Sequence, residues 1–131
     1  MAIPDPTPPA QSVRVLIVDD SEAFTRAARD LLEFRGYVVV GEARSAQDAM
    51  AAVEALKPDA ALIDIGLPDT PGTELAGYLL THHPGVAVLL CSADPDRYPR
   101  SLENISGVAG FVLKRELARV ELRAFWPLPA A

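Results

Sequence analysis

Val13-Arg-Val-Leu-Ile-Val-Asp-Asp20 is a short apolar run rich in β-branched residues that ends on two adjacent carboxylates. Such a run reads as a strand buried on both faces. Downstream, Phe24, Ala27, Ala28, Leu31 and Leu32 recur at helical spacing, and Gly36 closes that helix. Tyr37–Val40 is a second strand, and Ser45 with Asp48 opens a second helix whose inner face is Ala46, Ala49, Met50 and Val53, with Pro58 as its stop. Ala60–Ile63 is a third strand that delivers Asp64, and Leu75, Tyr78 and Leu79 mark a third helix. Val86–Leu90 and Gly110–Leu113 are strands four and five, and Leu117, Val120 and Ala124 give a last helix its inner stripe. Strands alternating with helices predict an α/β fold with a parallel sheet covered on both faces. Right-handed crossovers and five strands favour a flavodoxin-like doubly wound order, 2-1-3-4-5. Pro95 and Pro99 fall where the fourth helix belongs, so that helix is expected to be short, displaced or delayed to about Pro99.

Composition narrows the setting. The chain has 131 residues and a formal net charge of −6. Pro4, Pro6, Pro8 and Pro9 mark a tail, here expected to be disordered over 1–12, before one folded unit over 13–126 and a C-terminal tail over 127–131. An acidic balance argues against direct nucleic-acid contact, which needs a basic face. No run approaches the ~20 apolar residues of a membrane span. The single cysteine, Cys91, lies in an apolar run and has no partner in the chain, which fits a reducing, cytoplasmic setting.

In a sheet of this order, ligands bind at the carboxyl ends of the strands, where the order reverses. That point lies between strands one and three, which end in Asp19-Asp20 and Asp64. Three clustered carboxylates repel one another, and a hard divalent cation such as Mg²⁺, which takes oxygen ligands, resolves the conflict. Lys114 after strand five must cross roughly 10 Å to reach Asp64, which only a long side chain can do. Ser92, one strand nearer, offers a hydrogen-bond donor. Each residue alone has an ordinary reading, as a helix cap, a turn residue or a solvated strand end. Their convergence on one sheet edge is what singles them out.

These residues resemble the receiver domains of two-component response regulators, from about Val13 to Phe125. Val15–Asp20 is similar to the family's first strand with its acidic pair, and Asp64-Ile-Gly-Leu-Pro-Asp69 with Gly72–Leu75 to its phosphoacceptor segment. Leu90–Ala93 and Gly110–Lys114 are similar to the ends of strands four and five, and the closest likeness is to receivers that precede a DNA-binding domain. The resemblance implies that Asp64 accepts a phosphoryl group from a sensor histidine kinase or histidine phosphotransfer protein. It further implies that Asp20, Asp64 and the Gly66 backbone carbonyl bind Mg²⁺, with Asp19 acting mainly through water. Lys114 and Ser92 would contact the phosphoryl oxygens, and Phe111 would change rotamer with Ser92. Arg115 stands where many receivers carry proline, so no cis proline is implied.

The resulting expectation is a phosphoacceptor signalling domain that switches partner binding and is not an enzyme beyond its own phosphorylation and dephosphorylation. A receiver-fold interaction module independent of phosphate is the alternative. A Mg²⁺-dependent phosphate-ester hydrolase is a third reading, disfavoured because little chain is left to shape a substrate pocket. The output partner and self-association into a homodimer stay open. His82-His83 at a helix end, and Cys91 as a buried thiol, are assigned no function. Phe125, Trp126 and Leu128 are expected to close the sheet.

Overall fold

Five strands form one parallel sheet in the order β2-β1-β3-β4-β5. The computed structural model describes residues 12–97 and 107–128. The strands are β1 (Arg14–Val18), β2 (Val38–Ala43), β3 (Ala60–Asp64), β4 (Ala87–Ser92) and β5 (Gly110–Leu113). Among the described residues three α-helices lie between strands, α1 (Glu22–Phe34), α2 (Ala46–Leu56) and α3 (Gly72–His82). Every residue of β3 is buried, as expected of a central strand roofed on both faces.

Side chains alternate across the sheet, and the two sets build two cores. Leu16, Val18, Ala61, Ile63, Val88 and Leu90 face α2 and α3, against Ala46, Ala49, Val53, Leu75, Ala76 and Leu79. Val15, Ile17, Ala60, Leu62, Leu89, Cys91 and Val112 face the other way, against Ala28 and Leu32 of α1. Met50 and Tyr78 are only half-buried on their helices, and Ala27 is exposed.

Helix ends follow the expected chemistry. Ser21 caps α1, its Oγ accepting from the Phe24 N–H at 3.2 Å, and Gly36 takes φ +95° just past the end. Ser45 Oγ accepts from the Asp48 N–H at 3.1 Å, and α2 ends at Lys57 with φ 49°, one residue before Pro58. A second cap on α2 was not anticipated: Asp69 Oδ1 and Oδ2 accept from the Ala46 and Gln47 N–H groups at 2.9 and 3.0 Å. Those two backbone hydrogen bonds hold the Asp69 carboxyl below its ordinary value.

The expected last helix is not formed. After β5 the chain makes 3₁₀ turns at Lys114–Glu116 and Leu122–Ala124. A competing partner stands at the C-cap of α1. Arg35 donates to the carbonyls of Ala118 at 2.5 Å and Val120 at 3.1 Å, which a continuous α-helix would need for the N–H groups of residues 122 and 124. The buried residues are Leu117, Leu122 and Trp126, while Ala124 is exposed. Trp126 closes the second core with Phe125 and Leu128 packed alongside, so the C-terminal aromatics do cover the sheet. Of the segment where a fourth helix was expected short or displaced, the described part holds one 3₁₀ turn, Pro95–Arg97. A start near Pro99, and residues 1–11 of the tail expected over 1–12, lie outside the described residues.

Candidate functional site

The sheet edge predicted from the sequence gathers its charged residues. Oxygen atoms of Asp19, Asp20 and Asp64 lie within 4.8 Å of one another. Asp19 and Asp64 are buried, whereas Asp20 is exposed. Lys114 spans from the end of β5 to both buried carboxylates, with Nζ 2.6 Å from Asp19 Oδ2 and 3.3 Å from Asp64 Oδ2.

Backbone geometry fixes these side chains. The Asp19 N–H continues the ladder to the Ala43 carbonyl, and Asp19 Oδ1 accepts from the Ser21 N–H at 2.8 Å. Asp64 Oδ1 accepts from the Gly66 N–H at 3.0 Å, leaving Oδ2 turned to the lysine. Asp19 Oδ2 is shut from solvent and depends on the charge of Lys114 rather than on a well-directed hydrogen bond.

Burial raises the Asp19 carboxyl above its ordinary value, against the lowering by Lys114 and the Ser21 N–H, and nearby Asp64 adds to the rise. Burial pushes Lys114 down, but contact with Asp19 and the charge of Asp64 outweigh it and leave the ammonium above its ordinary value. Burial likewise raises the Cys91 thiol, which keeps it protonated and inert.

The sign of the Asp19 shift makes a prediction. A carboxyl raised in the folded state binds more protons there than in the unfolded chain, so stability falls as pH rises from 3.8 to the raised value. In buffer free of divalent cations, Asp19→Asn is expected to gain stability relative to wild type across that interval. Urea titrations at a series of pH values read the difference; a gap that narrows with rising pH contradicts the account.

Gly72 is a residue that the site needs for its lack of a side chain. A Cβ there would fall on the Asp64 carbonyl oxygen and 2.7 Å from Ile65 Cα, and the Gly72 N–H donates to the Ile65 carbonyl at 2.9 Å. Backbone cannot yield as a flexible side chain does. Gly72→Ala should cost about 1–3 kcal/mol in urea unfolding and displace Asp64. An alanine variant as stable as wild type would show that the segment rearranges freely.

Ser92 and Phe111 sit on the neighbouring strands β4 and β5, at the expected edge. Ser92 is buried, and its hydroxyl accepts from the Asp94 N–H at 3.1 Å and donates to the Asp94 carbonyl at 3.2 Å. Phe111 is half-buried and packs on the core under α2 and α3. Gly66 reaches the site through its N–H. One participant escaped the sequence reading. The Phe24 ring stands 4.4 Å from Lys114 Nζ, measured to the ring centroid. Its place in the first turn of α1 was legible, but its reach to residue 114 was not. His82 stacks on Tyr78 at 4.2 Å, and His83 Nε2 lies 3.5 Å from Glu54, both away from this edge.

The profile of the response regulator receiver domain matches residues 15–124, the span that supplies the sheet and the acidic edge. The chain belongs to the response regulator receiver domain family. Response regulator GacA of Pseudomonas viridiflava is 38% identical over 106 residues, 78% of this chain and 48% of that protein. The DNA-binding transcriptional activator DevR/DosR of Mycobacterium tuberculosis is 38% identical over 112 residues, 82% of this chain and 52% of that protein. This receiver domain thus spans about half the length of the curated relatives it matches. Among solved structures, a CheY-like response regulator receiver domain protein from Methanospirillum hungatei superposes with a TM-score of 0.67 at 32% identity, covering 88% of each chain. The receiver domain carries a signalling role in two-component systems. No helix among its described residues is long and apolar enough to cross a membrane.

Proposed function

We propose that this receiver domain accepts a phosphoryl group on Asp64 from a sensor histidine kinase or a histidine phosphotransfer protein. The carrying observation is that Lys114 Nζ, delivered by β5, meets the carboxylates of both Asp19 and Asp64. The donor set fits Mg²⁺: it is all oxygen, and the buried Asp19 Oδ2 lacks a well-directed hydrogen bond. Asp20, Asp64 and the Gly66 carbonyl would hold the ion, with Asp19 acting through water. When bound, Mg²⁺ would offset the negative charge that otherwise repels phosphate from a carboxylate.

An Asp64 carboxylate oxygen attacks phosphorus, the phosphorus–nitrogen bond of the donor phosphohistidine breaks, and the electron pair stays on the imidazole nitrogen. The Gly66 N–H orients Asp64 for this attack. Lys114 places its positive charge beside the phosphoryl oxygens. For Ser92 to donate to the same oxygens, its hydroxyl must release the Asp94 carbonyl, and Phe111 would follow it.

Incubation with MgCl₂ and acetyl phosphate, followed by intact mass, is the test. A gain of one phosphoryl group, mapped to residue 64 by borohydride reduction and peptide sequencing, is the expected result. A label at another residue refutes the assignment. A folded, Mg²⁺-binding protein that takes no label points to the second reading, an interaction module independent of phosphate. The non-helical segment after β5 is what favours that reading, because it alters the surface beside strand five.

A further inference from the structure

Four contacts form a closed circuit around Lys114. Asp19 Oδ1 accepts from the Ser21 N–H, Ser21 Oγ accepts from the Phe24 N–H, the Phe24 ring lies against Lys114 Nζ, and Nζ returns to Asp19 Oδ2. The first turn of α1 is thereby tied to the lysine through an aromatic face.

An ammonium on a four-carbon stem has many conformers, and holding it in one place takes partners. Two of its partners, Asp19 and Asp64, are members of the carboxylate cluster that suits a divalent cation. Each charge that such a cation offsets is attraction lost to the ammonium. The face of Phe24 attracts a cation through its quadrupole, carries no charge to be offset, and offers no oxygen to a hard metal. It therefore keeps hold of Lys114 when the carboxylates are engaged. A purely structural Phe24 would need only to fill space on the second core, where its half-buried ring packs. An aliphatic side chain would serve that end equally well.

We infer that Phe24 is a positioning residue, holding the Lys114 ammonium where it meets the incoming phosphoryl group. This rests on the reading of Asp64 as the phosphoacceptor. Lys57 and Lys114 are the only lysines, so ¹³C-lysine labelling gives two ε-methylene signals. In wild type the Lys114 ε-protons should lie upfield of those of Lys57 through the Phe24 ring current. Phe24→Leu should abolish that shift, and Phe24→Tyr should retain it.

At subsaturating acetyl phosphate with Mg²⁺, Phe24→Leu should phosphorylate about fivefold more slowly, with the rate restored in Phe24→Tyr. In a Lys114→Met background, Phe24→Leu should slow labelling no further, since its effect passes through the lysine. A Phe24→Leu protein that labels at the wild-type rate overturns the inference. So does one that slows labelling equally with and without Lys114. Should wild type take no phosphoryl group at all, the phosphoacceptor reading fails by itself. The ring-current arm then still decides, and a Lys114 signal unmoved by Phe24→Leu refutes the positioning role.

Discussion

Asp64→Asn is expected to abolish phosphoryl transfer from acetyl phosphate, with no mass gain under conditions that label wild type fully. An amide oxygen is far less nucleophilic than a carboxylate, and the neighbouring carboxylates are poorly placed to substitute. Asp19 is buried and clasped by Lys114 at 2.6 Å, while Asp20 is exposed and, among the described residues, held by no ion pair. The fold should survive, because asparagine keeps the oxygen that accepts the Gly66 N–H and relieves repulsion within the cluster. Loss of labelling in a protein that unfolds no earlier than wild type therefore reports chemistry rather than damage. Residual labelling at Asp20 would instead show that the acidic cluster, and not one residue, accepts phosphate.

Trp126→Ala should be the most destabilising substitution of those proposed. The indole is 2% exposed, its Nε1 donates to the Ala87 carbonyl at 3.1 Å, and it meets the Tyr37 ring edge-on at 5.8 Å. Tyr37 Oη donates to the Trp126 carbonyl at 2.7 Å, a contact that survives only while residue 126 stays docked. Truncating a buried tryptophan costs about 3–5 kcal/mol, a large part of the 5–15 kcal/mol that holds a typical domain. Urea unfolding followed by circular dichroism measures it, since the variant has no tryptophan left to fluoresce. A loss below about 1 kcal/mol would mean that the C-terminal segment is an accessory rather than the second roof of the sheet. Trp126→Phe, which keeps most of the apolar volume, should fall between the two proteins.

The sheet was legible in the sequence because buried parallel strands are near-continuous apolar runs, and each such run here lies within a residue or a few of its observed strand. The acidic edge was legible for a topological reason: the strand order alone brings Asp19, Asp20 and Asp64 together. Lys114 was reached by length and charge. Misreading began where spacing ceased to discriminate. Leu117, Val120 and Ala124 have helical spacing, but a partner 83 residues away, Arg35, competes for the carbonyls that a helix requires. No local pattern encodes that. Asp69 was seen only as part of the phosphoacceptor segment, and its capping of α2 depends on a loop approaching from 23 residues off. Ser92 marks the limit for the site: its identity and edge were predictable, but its hydroxyl bonds locally to Asp94, a choice that no spacing encodes.

The grip of Arg35 and Tyr37 on residues 118–126 also sets an order of events during synthesis. Within the domain, β1 and α1 leave the ribosome before the other elements, yet the apolar face between them stays unroofed until Leu117, Leu122 and Trp126 have followed. The opposite face, served by α2 and α3, can close much sooner. While the domain is being made, one side can therefore close ahead of the other, and the side that waits is the one open to chaperones and to misassociation.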